Sequence, residues 1–119
     1  METERYGLIQ GPGRPSICLA MARGDWVTVC CTAPNRNADI EGQTRQIFEI
    51  FDGYLADAGS DRSKLLTAQV WLKDMRDYDA MNAVWNAWID PANPPARSCV
   101  SANMSKPESL IEIRVTAAR

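Results

Sequence analysis

Arg97 and Glu112 are of residue types that could handle a small carboxylate and a water molecule. Arg97 follows the Pro94-Pro95 turn and opens a run of strand-forming residues. Its planar guanidinium offers a fork that matches a carboxylate. Glu112 falls on the polar face of the last strand pattern, where a carboxylate can hold a water and accept its proton. Each residue also has a plainer reading. Arg97 would serve a surface or interface ion pair, and Glu112 would pair with Arg114, two residues along on the same face. Cys99 lies two residues after Arg97 and so shares its strand face. No histidine or lysine neighbours it in sequence to lower its pKa, which argues against a thiolate nucleophile. It either contacts a ligand directly or is a small lining residue. Asn82 sits mid-helix beside an apolar stripe, an unfavourable place for asparagine. It braces a loop near the site or simply faces outward.

Histidine is absent. This excludes a Ser-His-Asp or Cys-His nucleophile and any His-ligated zinc. The available chemistry is that of carboxylates, Arg, Lys, Tyr, Cys and backbone groups, with no metal or cofactor expected.

The elements that must position these residues belong to a chain of 119 residues, read as a single domain over 1–119. Apolar residues make up 45% and charged residues 24%, so a core can form, though a small one that association with other copies would help. The net charge of -2 argues against nucleic acid as a partner, because phosphate binding needs a basic stripe. No apolar run approaches the roughly 20 residues that span a bilayer. The polar start Met1-Glu2-Thr3-Glu4 lacks the basic and apolar regions of a secretory leader, so a cytoplasmic location is expected. The four cysteines form no Cys-x-x-Cys pair and are expected to be reduced thiols. The adjacent Cys30 and Cys31 would point to opposite faces of a strand.

Gly11-Pro12-Gly13-Arg14-Pro15 marks a loop, with a short strand before it over Arg5 to Ile9. Strands at Ile17 to Arg23 and Trp26 to Thr32 flank a Gly24-Asp25 hairpin turn. Ile40, Thr44, Ile47, Phe48, Phe51, Leu55 and Ala58 then lie on one helical face, with Asn37 or Asp39 to cap it and Gly59 to end it. Leu65 to Leu72 alternates, with Leu66, Ala68, Val70 and Leu72 on one face and Thr67, Gln69 and Trp71 on the other. Asp77 would cap a second helix carrying Tyr78, Met81, Val84, Trp85 and Trp88, stopped at Asp90-Pro91. Strands at Arg97 to Asn103 and Leu110 to Ala118 complete the order β-β-β-α-β-α-β-β. This is an α+β two-layer sandwich, a mixed sheet with two helices on one face. The other face would carry Thr67, Trp71, Glu112 and Thr116, and suits packing against further copies around a closed ring.

Pro95-Ala96-Arg97-Ser98-Cys99-Val100, followed by Leu110-Ile111-Glu112-Ile113, resembles the signature of the Rid/YjgF family, the reactive-intermediate deaminases. Gly24-Asp25-Trp26-Val27, Asp39-Ile40-Glu41-Gly42-Gln43-Thr44-Arg45 and Met81-Asn82-Ala83-Val84-Trp85 agree in order and spacing, so the resemblance runs from about Gly24 to the C-terminus. It implies a chorismate-mutase-like fold and a homotrimer, a trimeric barrel with sites at the subunit interfaces. It also implies hydrolysis of 2-imino acids, formed from enamines such as 2-aminoacrylate, to 2-keto acids and ammonia. Arg97 would bind the substrate carboxylate and Glu112 would position and activate water. Cys99, Asn82, Cys31 and Ile17 would line the pocket. Two features depart from the family: Ser16-Ile17 stands where a tyrosine is common, and Cys30-Cys31 replaces the usual Ser-Gly, where a side chain narrows the pocket.

Three alternatives stand beside the imine deaminase. One is a deaminase of a larger catabolic enamine such as 2-aminomuconate. Another is a non-catalytic module binding a 2-keto acid, which would need Arg97 but not Glu112. The last is a structural interaction protein, with Trp26, Trp71, Trp85 and Trp88 serving core or interface.

Overall fold

The computed structural model describes all 119 residues. Its elements are β1 (Thr3–Ile9), β2 (Ile17–Arg23), β3 (Trp26–Thr32), α1 (Ile40–Asp57), β4 (Leu65–Leu72), α2 (Tyr78–Trp88), β5 (Ala96–Ser101) and β6 (Ile111–Ala118). One mixed sheet runs β1-β2-β3-β6-β4-β5, with β1 and β5 at its edges. All pairs are antiparallel except β4 with β5, for which α2 serves as the crossover. The expected order and α+β layering are therefore present. No helix is long and apolar enough to cross a membrane.

The core forms where the apolar faces of the sheet and the helices meet. Val27 and Val29 on β3, Val70 and Leu72 on β4, and Ile111, Ile113, Val115 and Ala117 on β6 are fully buried. Against them pack Ile47, Phe51 and Leu55 of α1 and Met81 of α2. Asp39 caps α1 by accepting a 2.8 Å hydrogen bond from the Gly42 N–H, satisfying one of the free donors of the first turn. Gly59, at φ 82°, turns the chain out of the helix in a backbone region open chiefly to glycine. Phe48 stacks on Trp88 with ring centroids 4.1 Å apart and meets Trp85 edge-on, so aromatic contacts lock the two helices together.

Several boundaries differ from the pattern. β1 begins at Thr3, two residues early, while β5 stops at Ser101 and β6 starts at Ile111. Leu66 is exposed, because the β4–β6 pairing is irregular between Leu65 and Thr67 and breaks the alternation there; Leu65 takes the buried place. Asp77 makes no side-chain cap to α2. A single 3₁₀ turn, Met75–Asp77, intervenes and is capped by Asp74 through the Arg76 N–H. Trp85 and Trp88 belong to the core, whereas Trp26 is exposed and Trp71 half-buried.

The sheet face away from the core carries the expected polar residues. Trp71 pairs with Glu112, the Thr67 and Thr116 hydroxyls touch, and so do those of Ser98 and the Gln69 side chain.

Candidate functional site

Arg97 is seated on the helix side of the sheet. Its β4 partner in the parallel ladder is the buried Ala68, and that of Cys99 is the buried Val70, so both side chains point toward α2. The guanidinium lies over the Trp85 ring at 4.8 Å from the centroid. It donates from Nη1 to Asn82 Oδ1 at 2.8 Å and from Nη2 to the Tyr78 hydroxyl at 3.3 Å. With a further 4.0 Å contact from Nη1 to the Met81 sulfur, up to three of its five donors hold it in place, and the others remain for a ligand. Asn82, Tyr78 and Trp85 occupy i, i+4 and i+7 positions counted from Tyr78, which stack on one helix face and explain an asparagine in mid-helix. Asn82 therefore orients Arg97. Tyr78 and Trp85 were read from the sequence only as apolar helix residues.

Cys99 lies half-buried beside Arg97. Burial pushes its thiol above the ordinary range and the Arg97 charge opposes this only in part, so it stays protonated near neutral pH. That favours a lining or contact role over a nucleophile.

Glu112 is on the opposite face. It pairs across the sheet with Thr32 of β3 and Trp71 of β4, and its Oε2 accepts from the Cys30 thiol at 3.5 Å. Burial and the Glu112 charge both raise the Cys30 pKa, which keeps the proton on sulfur and the carboxylate as acceptor. No ion pair joins Glu112 to Arg114, although both line one groove of about 650 Å³ with Cys30, Thr32 and Ile17. Ile17, 46% exposed, borders this groove.

The two adjacent cysteines diverge. Cys31 also borders the groove, but it is buried in the core cluster, and burial pushes its thiol up to about 12. Cys30 is the one on Glu112's face, because β3 places Val27, Val29 and Cys31 toward the helices.

Arg97 and Glu112 do not meet within one chain. Glu112 is opposite Trp71, whereas Arg97 is opposite Ala68, three residues away, and β4 lies between β5 and β6. Two strand spacings and three residue rises put their backbones about 14 Å apart, with the side chains on opposite faces.

Gln43, fully buried, was missed as a site-building residue. Its amide donates to the carbonyls of Arg36, Ala38 and Glu108 and its Oε1 accepts from the Leu110 N–H at 2.9 Å. One side chain thereby ties the loop after β3 to the loop before β6, both of which border the Glu112 groove. The signal in the sequence was a glutamine on the helix's apolar side, next to Thr44.

Residues 18–119 match the family model described as Endoribonuclease L-PSP. A RutC family protein of Haemophilus influenzae is 40% identical over 75 residues, 63% of this chain and 65% of that protein, so the match leaves about a third of that relative uncovered. Another RutC family protein, from Haemophilus ducreyi, is 38% identical over 71% of this chain and 72% of its own. A protein of Acinetobacter baylyi named 3-aminoacrylate deaminase RutC is 35% identical over 66% of this chain and 62% of its own. Among solved structures, a YjgF family member from Neisseria meningitidis superposes with a TM-score of 0.89 at 32% identity, covering 100% of this chain and 96% of that one. An uncharacterized protein from Pseudomonas aeruginosa superposes with a TM-score of 0.90 at 31% identity over 99% of both chains.

Proposed function

Since the chain belongs to the Endoribonuclease L-PSP (YjgF/Rid) family, we propose that it is a deaminase that hydrolyses 2-imino acids to 2-keto acids and ammonia. The observation that carries this reading is the seating of Arg97: a half-buried guanidinium, clamped by Asn82 and Tyr78 over Trp85, with unused donors at the sheet edge. A clamped fork suits a carboxylate because little side-chain freedom remains to be lost on binding.

In the proposed reaction the enamine first tautomerises to the imine. Arg97 holds the carboxylate, so the adjacent C=N carbon is placed. Glu112 orients a water and takes its proton as oxygen bonds to that carbon. The C=N pair moves to nitrogen, which takes that proton; the new hydroxyl then gives its own proton to nitrogen by way of Glu112, the C–N bond breaks with its electron pair leaving on ammonia, and the carbonyl forms. The imine carbon and the carboxylate carbon are directly bonded, so Arg97 and the Glu112-held water must serve neighbouring atoms. With the two side chains on opposite faces of one sheet, the reading requires Arg97 of one subunit to meet Glu112 of another. A homotrimer with a site at each interface meets this requirement.

The test generates 2-imino acids in situ with an amino-acid oxidase or a lyase and follows keto-acid release. Two charge-assisted hydrogen bonds at about 1.5 kcal/mol each put the loss on Arg97→Ala near a hundredfold in kcat/KM. Glu112→Gln is expected to cut turnover more than keto-acid binding, because an amide cannot take the water's proton. Equal losses in both would leave a carboxylate-binding module, and a wild-type rate no faster than the spontaneous one would refute the deaminase.

A further inference from the structure

Four cations converge on the groove that holds Glu112: Arg14 from the β1–β2 loop, Arg36 from the β3–α1 loop, Lys106 from the β5–β6 loop and Arg114 on β6. None of the four makes an ion pair, and Arg14, Arg36 and Lys106 donate no side-chain hydrogen bond within the chain, while Arg114 reaches the Cys30 thiol. Glu112 is the only acid in the lining. The groove is thus formally +3 in a chain whose net charge is -2, so its charge is not a sample of the surface at large. Like charges drawn together without counter-charges repel, and a bound anion relieves that cost. The first carboxylate of a 2-imino acid is already assigned to Arg97 of another subunit, which is none of these four cations. A substrate with one carboxylate would leave the groove's excess of three positive charges unanswered.

We propose that the substrate is a 2-imino diacid, whose second carboxylate, at the end of its side chain, is bound by Arg36, Lys106 and Arg114 beside Glu112. This rests on the deaminase reading and names its substrate class. The hydrolysis is unchanged: water adds to the C=N carbon, nitrogen leaves as ammonia, and a 2-keto diacid forms with no redox partner. The loop cations are placed by Gln43, which bonds the Arg36 carbonyl and that of Glu108, two residues past Lys106. A nucleic acid is the weaker occupant, because no Trp, Tyr or Phe lines the groove to stack a base.

The experiment compares 2-iminoglutarate and 2-iminosuccinate with 2-iminobutanoate, each generated in situ, on the full chain. Wild type is expected to favour the diacids by about tenfold in kcat/KM, a preference that shrinks with added salt. In Arg36→Gln combined with Lys106→Gln, the diacid-to-monoacid ratio is expected to fall toward unity. Turnover of the monoacid without any diacid preference would overturn the inference and leave the deaminase standing. Inactivity on every imine would remove the deaminase; calorimetry with 2-oxoglutarate against 2-oxobutanoate then decides the groove, and equal affinities overturn it. A short single-stranded RNA that binds in place of the diacids, with the same variants abolishing it, would also overturn it. So would variants that lose their oligomeric state while the substrate ratio stays constant, since the cations would then serve subunit contacts.

Discussion

Mixing two inactive variants tests whether the site is shared between chains. Arg97→Ala keeps Glu112 and Glu112→Gln keeps Arg97, so neither homo-oligomer has a complete site. If Arg97 and Glu112 come from different subunits, a mixed oligomer rebuilds some sites from one intact half of each. In a random 1:1 mixture each interface draws its Arg97 from the right variant half the time, and its Glu112 likewise. About one quarter of sites should then be wild type, because a closed ring uses the same heterologous interface throughout. At other ratios the recovered activity should follow the product of the two fractions, peaking at equal parts. The roughly 14 Å separation and opposite faces predict no recovery from any single chain. The assay is keto-acid release after co-refolding or co-expression, with differently tagged copies to verify that mixed oligomers form and refolded wild type as the reference. Mixed oligomers that form but stay inactive would refute the shared site.

Asn82→Ala removes a 2.8 Å acceptor from Arg97 and should raise KM about tenfold with a smaller fall in kcat, since Asn82 positions the carboxylate's partner and touches no reacting atom; unchanged steady-state kinetics would count against the clamp. Gln43→Leu leaves the Leu110 N–H and three carbonyls without their partner in a buried place, and should cost about 2–4 kcal/mol in urea unfolding; a loss under about 0.5 kcal/mol would show that the loops do not depend on it. Cys31, whose thiol is raised to about 12 chiefly by burial, ionises in the unfolded chain before the folded one. Its contribution is full below the ordinary thiol range and lost as pH climbs to about 12, at up to about 1.4 kcal/mol per pH unit. Cys31→Val should flatten that part of the alkaline stability curve, and an unaltered slope would contradict the burial.

The elements were legible in the sequence where one period ran without interruption. The stripe from Ile40 to Ala58 is buried residue for residue, and the alternation on β6 separates Ile111, Ile113 and Val115 from Glu112, Arg114 and Thr116 as expected. Legibility failed where pairing or capping overrode local pattern. Leu66 reads as a core residue until the irregular pairing with β6 turns it outward. Asp77 reads as a cap because aspartate suits the position, but the chain spends a 3₁₀ turn first and gives the capping to Asp74. Neither displacement could be seen without knowing which strand lies beside β4 or how tightly the chain must turn to start α2.

The site was legible to a different degree, for a reason rooted in the sheet. Motifs report side-chain type and the parity of a strand, so they identified Arg97, Cys99 and Glu112 and put the first two on one face. Parity along one strand says nothing about which face another strand presents, and Arg97 and Glu112 sit on strands with β4 between them. The same gap left Cys30 and Cys31 unassigned to faces: adjacent residues must diverge, but only the β3–β6 register tells which of them joins Glu112. Long-range polar ties such as Gln43 are hidden for the same cause, since a buried glutamine is justified only by the backbone groups that the fold brings to it. If Arg97 anchors the carboxylate and Glu112 holds the water, as proposed, a chain that separates them can form no competent site alone, and assembly becomes a condition of catalysis.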